Sequence, residues 1–157
     1  MKKSIVPLWS PFEVEQFYNN LADRADKIIF NMLRGTGEEF VKIARKKKTY
    51  QEHSGNLKSS IGYAVIKNGK IINENYEMSD KGFDKKTGIS EAKKLVAKLA
   101  IENNKGWLLI GMAAMKYAFI VESLHHLDVI SSAAEQAEEY IKITSRRIFE
   151  RIENKEI

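Results

Sequence analysis

The chain has 157 residues, 43% of them apolar and none of them cysteine, with a net charge of +5 from 26 basic and 21 acidic side chains. That composition suits one folded domain with a real core, and excludes a disordered chain, disulfide staples, thiolate nucleophiles and cysteine-rich zinc sites. So small a basic surplus serves nucleic acid, an acidic partner or plain solubility equally well, and no apolar run nears the ~18–20 residues of a membrane span.

The opening Met1-Lys2-Lys3-Ser4-Ile5-Val6-Pro7 is basic but has no long apolar stretch behind it, so it does not read as a secretory signal. Residues 1–9 read instead as an extended arm. Ser10-Pro11-Phe12-Glu13 writes a helix start: Ser10 can cap, Pro11 suits the first helical position, and Glu13 can reach back to complete a capping box. Behind it Val14, Phe17, Tyr18, Leu21, Ala25, Ile28, Ile29 and Met32 recur at three- and four-residue steps and form one apolar stripe. Gly35-Thr36-Gly37 is expected to interrupt or kink this helix, and Phe40, Val41 and Ala44 resume the stripe toward an end near Lys48. The cluster Arg45-Lys46-Lys47-Lys48 reads as cations complementing the helix C-terminus.

Residues 49–56 read as a polar loop. Ile61–Lys67 and Lys70–Tyr76 are β-prone runs joined by Asn68-Gly69, a strong hairpin signal because both residues tolerate the positive φ of a type I′ turn. Residues 79–89 predict an exposed, mobile loop, after which Ser90 caps a helix that buries Ala92, Leu95, Val96, Leu99 and Ala100. Asn103-Asn104-Lys105-Gly106 stops that helix, and the apolar run Trp107–Met112 suits a strand in the middle of a sheet. Tyr117–Glu122 is ambiguous between strand and helix. From Ser132 the spacing of Ala134, Ala137, Tyr140, Ile141, Thr144, Ile148 and Ile152 predicts a long amphipathic helix. The order predicts a single α+β domain over residues 1–157: long N-terminal helix, β-hairpin, helix, strand and C-terminal helix around a small antiparallel or mixed sheet.

Chemistry is sparse. Gly35-Thr36-Gly37 lacks the further glycine, the lysine and the preceding strand of a phosphate-binding loop. No glycine-framed nucleophile elbow surrounds Ser59 and Ser60. Glu122, His125, His126 and Asp128 offer metal-ligand types within a short span, but adjacent histidines diverge on helix and strand alike, so the segment reads as a polar loop. His53 stands alone in the polar loop before Gly55. No catalytic, cofactor-binding or metal residue is expected. The mix of helices and strands with a basic excess also resembles a double-stranded-RNA-binding module in outline. However, the last helix opens Ser131-Ser132-Ala133-Ala134-Glu135, without the lysines such a module places there. A small basic nucleic-acid-binding domain is the alternative function, and a metal-dependent hydrolase built on residues 122–128 ranks behind it.

Two segments carry a family resemblance. His53-Ser54-Gly55-Asn56-Leu57-Lys58-Ser59-Ser60-Ile61-Gly62 resembles the hallmark of lambdoid-type bacteriophage neck and tail-completion proteins, the head-tail joining family often described as putative tail components. Gly111-Met112 followed by Lys116-Tyr117-Ala118-Phe119-Ile120-Val121-Glu122 is similar to that family's glycine-ended strand, Tyr-Ala pair and later glutamate. Leu127-Asp128-Val129-Ile130 resembles an extension found in a branch from Bacteroides-type phages and prophages. Ser54 stands where threonine is usual, and Ser123-Leu124-His125 replaces a glycine-containing turn. The resemblance implies a virion structural protein without enzymatic activity or cofactor, made in the bacterial host cytoplasm and located in the neck or tail region. It implies a cyclic homo-oligomer of six- or twelvefold order between portal-side connector or head-closure proteins and tail proteins, with DNA passing through unread. Residues 79–89, the arm, and the face of the last helix bearing Glu138, Glu139, Arg146, Arg147 and Arg151 are then the expected contacts between subunits.

Overall fold

A computed structural model describes residues 8–46, 50–51, 53–123 and 127–154. Its elements are α1 (Pro11–Lys46), α2 (Asn56–Ser59), β1 (Ile61–Lys67), β2 (Lys70–Tyr76), α3 (Lys86–Glu102), β3 (Trp107–Ala113), α4 (Ala118–Ser123) and α5 (Ser131–Glu153). The architecture is α+β, as the pattern of elements predicts. The chain divides into two compact units, Met1–Asn31 and Met32–Ile157, the boundary falling inside α1. Of the expected arm only Leu8 and Trp9 are among the described residues, and both are exposed.

In the first unit α1 starts at Pro11 through the expected capping box. The backbone N–H of Ser10 donates to Glu13 Oε2 at 2.7 Å, and the N–H of Glu13 donates to Ser10 Oγ at 3.2 Å. These bonds, backbone first, hold the Glu13 carboxyl below its ordinary range.

In the second unit the three strands form an antiparallel sheet in the order β2-β1-β3. The hairpin turns through Asn68 (φ 50°) and Gly69 (φ 75°), pairing Lys67 with Lys70, with a bulge between Val65 and Ile66. Trp107–Ala113 lies at an edge rather than in the middle. The central strand is β1, of which Ile61–Ile66 are buried. The apolar character of β3 has another cause: each of its faces meets apolar side chains. Met112, Leu108 and Ile110 join Ala64, Ile66, Ala92, Val96 and Ala100 in a cluster under α3. On the other face Leu109 and Gly111 look toward Phe40 of α1 and Ala137 and Ile141 of α5. Each large aliphatic side chain buried here contributes roughly 1.5–3 kcal/mol.

The glycines of Gly35-Thr36-Gly37 do not end the helix, which runs unbroken to Lys46. Their reason is proximity. A Cβ on Gly37 would lie 2.3 Å from the ring of Tyr63, which is wholly buried on β1. Helix and sheet approach too closely there for any side chain. Residues 47–49, where the helix was expected to finish, lie outside the described residues.

Two further boundaries shift. Helix α3 begins at Lys86, so Ser90 lies within it instead of capping it, and the loop from Ser79 stops at Lys85 rather than Ile89. Asp84 supplies the start, its Oδ1 accepting from the Thr87 hydroxyl at 2.9 Å and from the Thr87 N–H at 3.5 Å. The ambiguous segment after Tyr117 is helical. Among the described residues no helix is long and apolar enough to cross a membrane.

Candidate functional site

A polar junction lies around residues 54–60, where four separate stretches of chain meet. Gly55 turns the chain with φ 86°, and a Cβ on it would meet the Lys81 carbonyl oxygen at 2.4 Å. Only glycine combines that dihedral with that approach. The next residue, Asn56, reaches beyond its own short helix. Its Nδ2 donates to Asp84 Oδ2 at 3.2 Å, and its Oδ1 accepts the N–H of Gly88 at 3.2 Å. Asn56 therefore caps α3 from outside, and Asp84 joins it. The Asn56 amide, followed by the Thr87 hydroxyl, keeps the Asp84 carboxyl below its ordinary range.

Ser59 Oγ accepts the backbone N–H of buried Ser79 at 2.9 Å, and the N–H of Asp84 donates to the Ser54 carbonyl at 2.9 Å. The stretch expected to be an exposed, mobile loop is exposed over residues 80–83 but is tied to the Ser54–Ser60 segment at Ser79 and Asp84. Ser60 donates its hydroxyl to the Leu57 carbonyl, and its own carbonyl accepts the Ala114 N–H beyond β3. Leu57 and Ile61 are buried beneath.

Arg45 completes the junction from α1. Its Nη1 donates to the carbonyls of Lys58 and Glu77, each at 2.8 Å, and Nη2 to that of Met78 at 3.3 Å, while Nε lies 3.2 Å from Glu77 Oε2. A planar guanidinium suits such a fork of acceptors, which an ammonium cannot span. The basic cluster at the helix end signalled a cation here, but not that its first member ties down the chain entering and leaving the hairpin.

A second polar group lies between α1 and β2. The Tyr63 hydroxyl is 2.8 Å from Glu38 Oε1 and 2.7 Å from the side-chain oxygen of Asn73, and Asn75 Nδ2 donates to Glu38 Oε2 at 2.9 Å. One phenol proton cannot serve two acceptors, so it goes to the charged Glu38, and the Asn73 amide takes the orientation that donates. Burial, then the Glu38 carboxylate, pushes the Tyr63 pKa up, which keeps it a donor.

Glu122 and Asp128, of metal-ligand type but read from sequence as part of a polar loop, serve α5. Glu122 Oε1 accepts the N–H groups of Ile130 (3.3 Å) and Ser131 (2.8 Å), and Asp128 Oδ1 accepts that of Ser132 (3.2 Å). They satisfy the open donors of a helix N-terminus, where negative charge is also favoured by the dipole. His125 and His126 lie outside the described residues. His53 is exposed and lines a shallow hollow with Tyr50, Leu57, Tyr117 and Val121. Among the described residues no three ligand-type side chains gather where they could hold a metal ion.

The apolar hollow beside the sheet, about 300 Å³, lies between Phe40, Leu109, Ala134, Ala137 and Ile141. Its polar rim is already engaged: the Thr36 hydroxyl donates to the Met32 carbonyl at 2.9 Å, and Glu138 pairs with Lys142 at 2.6 Å. Such a hollow can take an apolar side chain; it presents no acid–base pair. Comparison with protein-family models, with curated proteins and with solved structures finds no match to this chain.

Proposed function

We propose that the protein is a structural component of a tailed-phage virion that forms a ring in the neck, joining the portal-side connector to the tail. The observation that carries this reading is the use made of residues 53–62, where the resemblance to neck and tail-completion proteins is most specific. Gly55, Asn56, Leu57, Ser59, Ser60 and Ile61 form the junction that binds α1, the hairpin and α3 together. A motif devoted to holding a shape suits an assembly part, and the side chains of Asn56, Ser59 and Ser60 are engaged by backbone groups and the Asp84 carboxylate. The apolar residues left uncovered along α1 add support, since large exposed apolar patches mark surfaces that meet other proteins. DNA passes through such a ring without being read, and the ring meets head-closure proteins on one side and tail proteins on the other.

Imaging of intact particles tests the proposal. The expected result is a closed ring of this chain on the tail axis, between portal and tail. Absence from particles, or one copy off the axis, overturns it. Tight DNA binding by the purified chain, falling steeply with salt, would favour the basic nucleic-acid-binding domain instead.

A further inference from the structure

The first half of α1 carries an apolar stripe that no described residue of its own unit covers. Val14, Phe17, Tyr18, Leu21 and Ala25 fall within one narrow arc of the helix, given its period of about 3.6 residues. Phe17, Tyr18 and Leu21 are 64%, 62% and 53% exposed. The charge along residues 11–31 is acidic on balance, since Glu13, Glu15, Asp23 and Asp26 outnumber Arg24 and Lys27.

The last turns of α5 offer the complement. Burial fades along that helix: Ala133 and Ala137 are buried, Ile141, Thr144 and Ile148 are half-buried, and Ile152 and Phe149 are exposed. The charge balance there is reversed. From residue 142 to 153, Lys142, Arg146, Arg147 and Arg151 outnumber Glu150 and Glu153, and the three arginines are exposed.

We infer that residues 13–25 of α1 in one copy dock on residues 142–153 of α5 in the next copy of this chain, an inference that rests on the ring reading above. Apolar side chains would meet apolar side chains, and the acidic segment would lie against the basic one. Pairing of α1 with itself would bring two acidic segments together and would close the assembly at a dimer. Contact between two different patches is heterologous, and repeated around an axis it generates a ring. A segment of this length spans roughly 20 Å of helix at about 1.5 Å per residue. One such contact falls short of the ~800 Å² per partner of a free-standing complex. It therefore holds weakly between two free copies and firmly when a connector aligns many.

The absence of cysteine makes the test clean. Full-length Leu21→Cys protein and an isotope-labelled pool of full-length Phe149→Cys protein are mixed at high concentration under mild oxidation. Both positions are exposed, so neither change disturbs a core. The mixed disulfide is expected to exceed either self-disulfide by about tenfold, the ratio that one favourable contact of ordinary strength produces. Adding Arg147→Glu and Arg151→Glu to the Phe149→Cys pool should remove that excess, and adding Glu13→Arg and Glu15→Arg to the other pool should restore it. Predominant Leu21→Cys self-disulfides, or linking no better than random, overturns the docking. Native mass spectrometry of the unmodified chain at the same concentration separates the two ideas. Closed rings without the mixed disulfide refute the α1–α5 contact and leave the ring reading intact, whereas absence from particles refutes the ring reading itself.

Discussion

Arg45 and Asn56 hold the second unit together by bonding to backbone rather than to each other. Arg45 reaches three carbonyls from two stretches of chain, and its side chain is only 10% exposed. Arg45→Lys keeps the charge but not the fork, so it should cost ~1–3 kcal/mol, read as a lower urea midpoint with unchanged slope. Asp84 gives a pH-dependent counterpart. Its folded pKa lies below the ordinary 3.8, first through the Asn56 amide and then through Thr87. The stabilisation is therefore complete above that ordinary value and disappears as pH falls through the folded one. Asp84→Asn should flatten the acid side of the stability profile below about pH 4, with little change in its slope near neutrality. A steep acid limb kept in Asp84→Asn would assign the effect to other carboxylates.

Helix α1 contains two glycines with opposite reasons for being there. Alanine in a helix interior normally gains about 1 kcal/mol over glycine. At Gly35 a Cβ would lie 3.4 Å from the Tyr140 hydroxyl, an ordinary contact, so Gly35→Ala should stabilise by up to about that amount. At Gly37 the same change drives a methyl into the Tyr63 ring and should destabilise by ~1–3 kcal/mol. Thermal unfolding of the two variants checks the sign, and two equal shifts would refute the packing account. Sequence pattern alone shows that Gly35-Thr36-Gly37 departs from helix propensity, and the expected kink follows from that local rule. The actual partner, a tyrosine on a strand formed much later in the chain, leaves no local trace. The hairpin was legible to its ends because its turn chemistry and both runs are local. The start of α3 was not. Ser90 looked like a cap, while Asp84 and Asn56 supply the start, one of them from the distant α2. The same holds for Glu122 and Asp128: their segment read as a polar loop, with no sign that their neighbours in space are the open N–H groups of α5.

At the scale of the whole molecule, stability and assembly are expected to separate. Phe17 and Leu21 are exposed, so Phe17→Asp with Leu21→Asp should leave the unfolding midpoint nearly unchanged. The same pair should sharply reduce incorporation into particles, measured by immunoblot of purified virions. Normal incorporation would free this stripe from any role in assembly. The hydrogen bonds between the hairpin turn and the chain entering β3 bear on how fast the molecule forms. The Asn68 N–H donates to the Gly106 carbonyl and the Gly106 N–H to Asn68 Oδ1, both at 2.8 Å. Strand β1 meets β2 across a two-residue turn, a closure on the order of 1–10 μs. It meets β3 only after all of α3 has been gathered in, which is the slow, entropically demanding closure. The reciprocal pair at Asn68 and Gly106 lies beside the Lys67–Trp107 end of that second pairing. Folding speed should therefore follow the β1–β3 pairing, so that changes in β3 slow folding while changes in β2 mainly hasten unfolding.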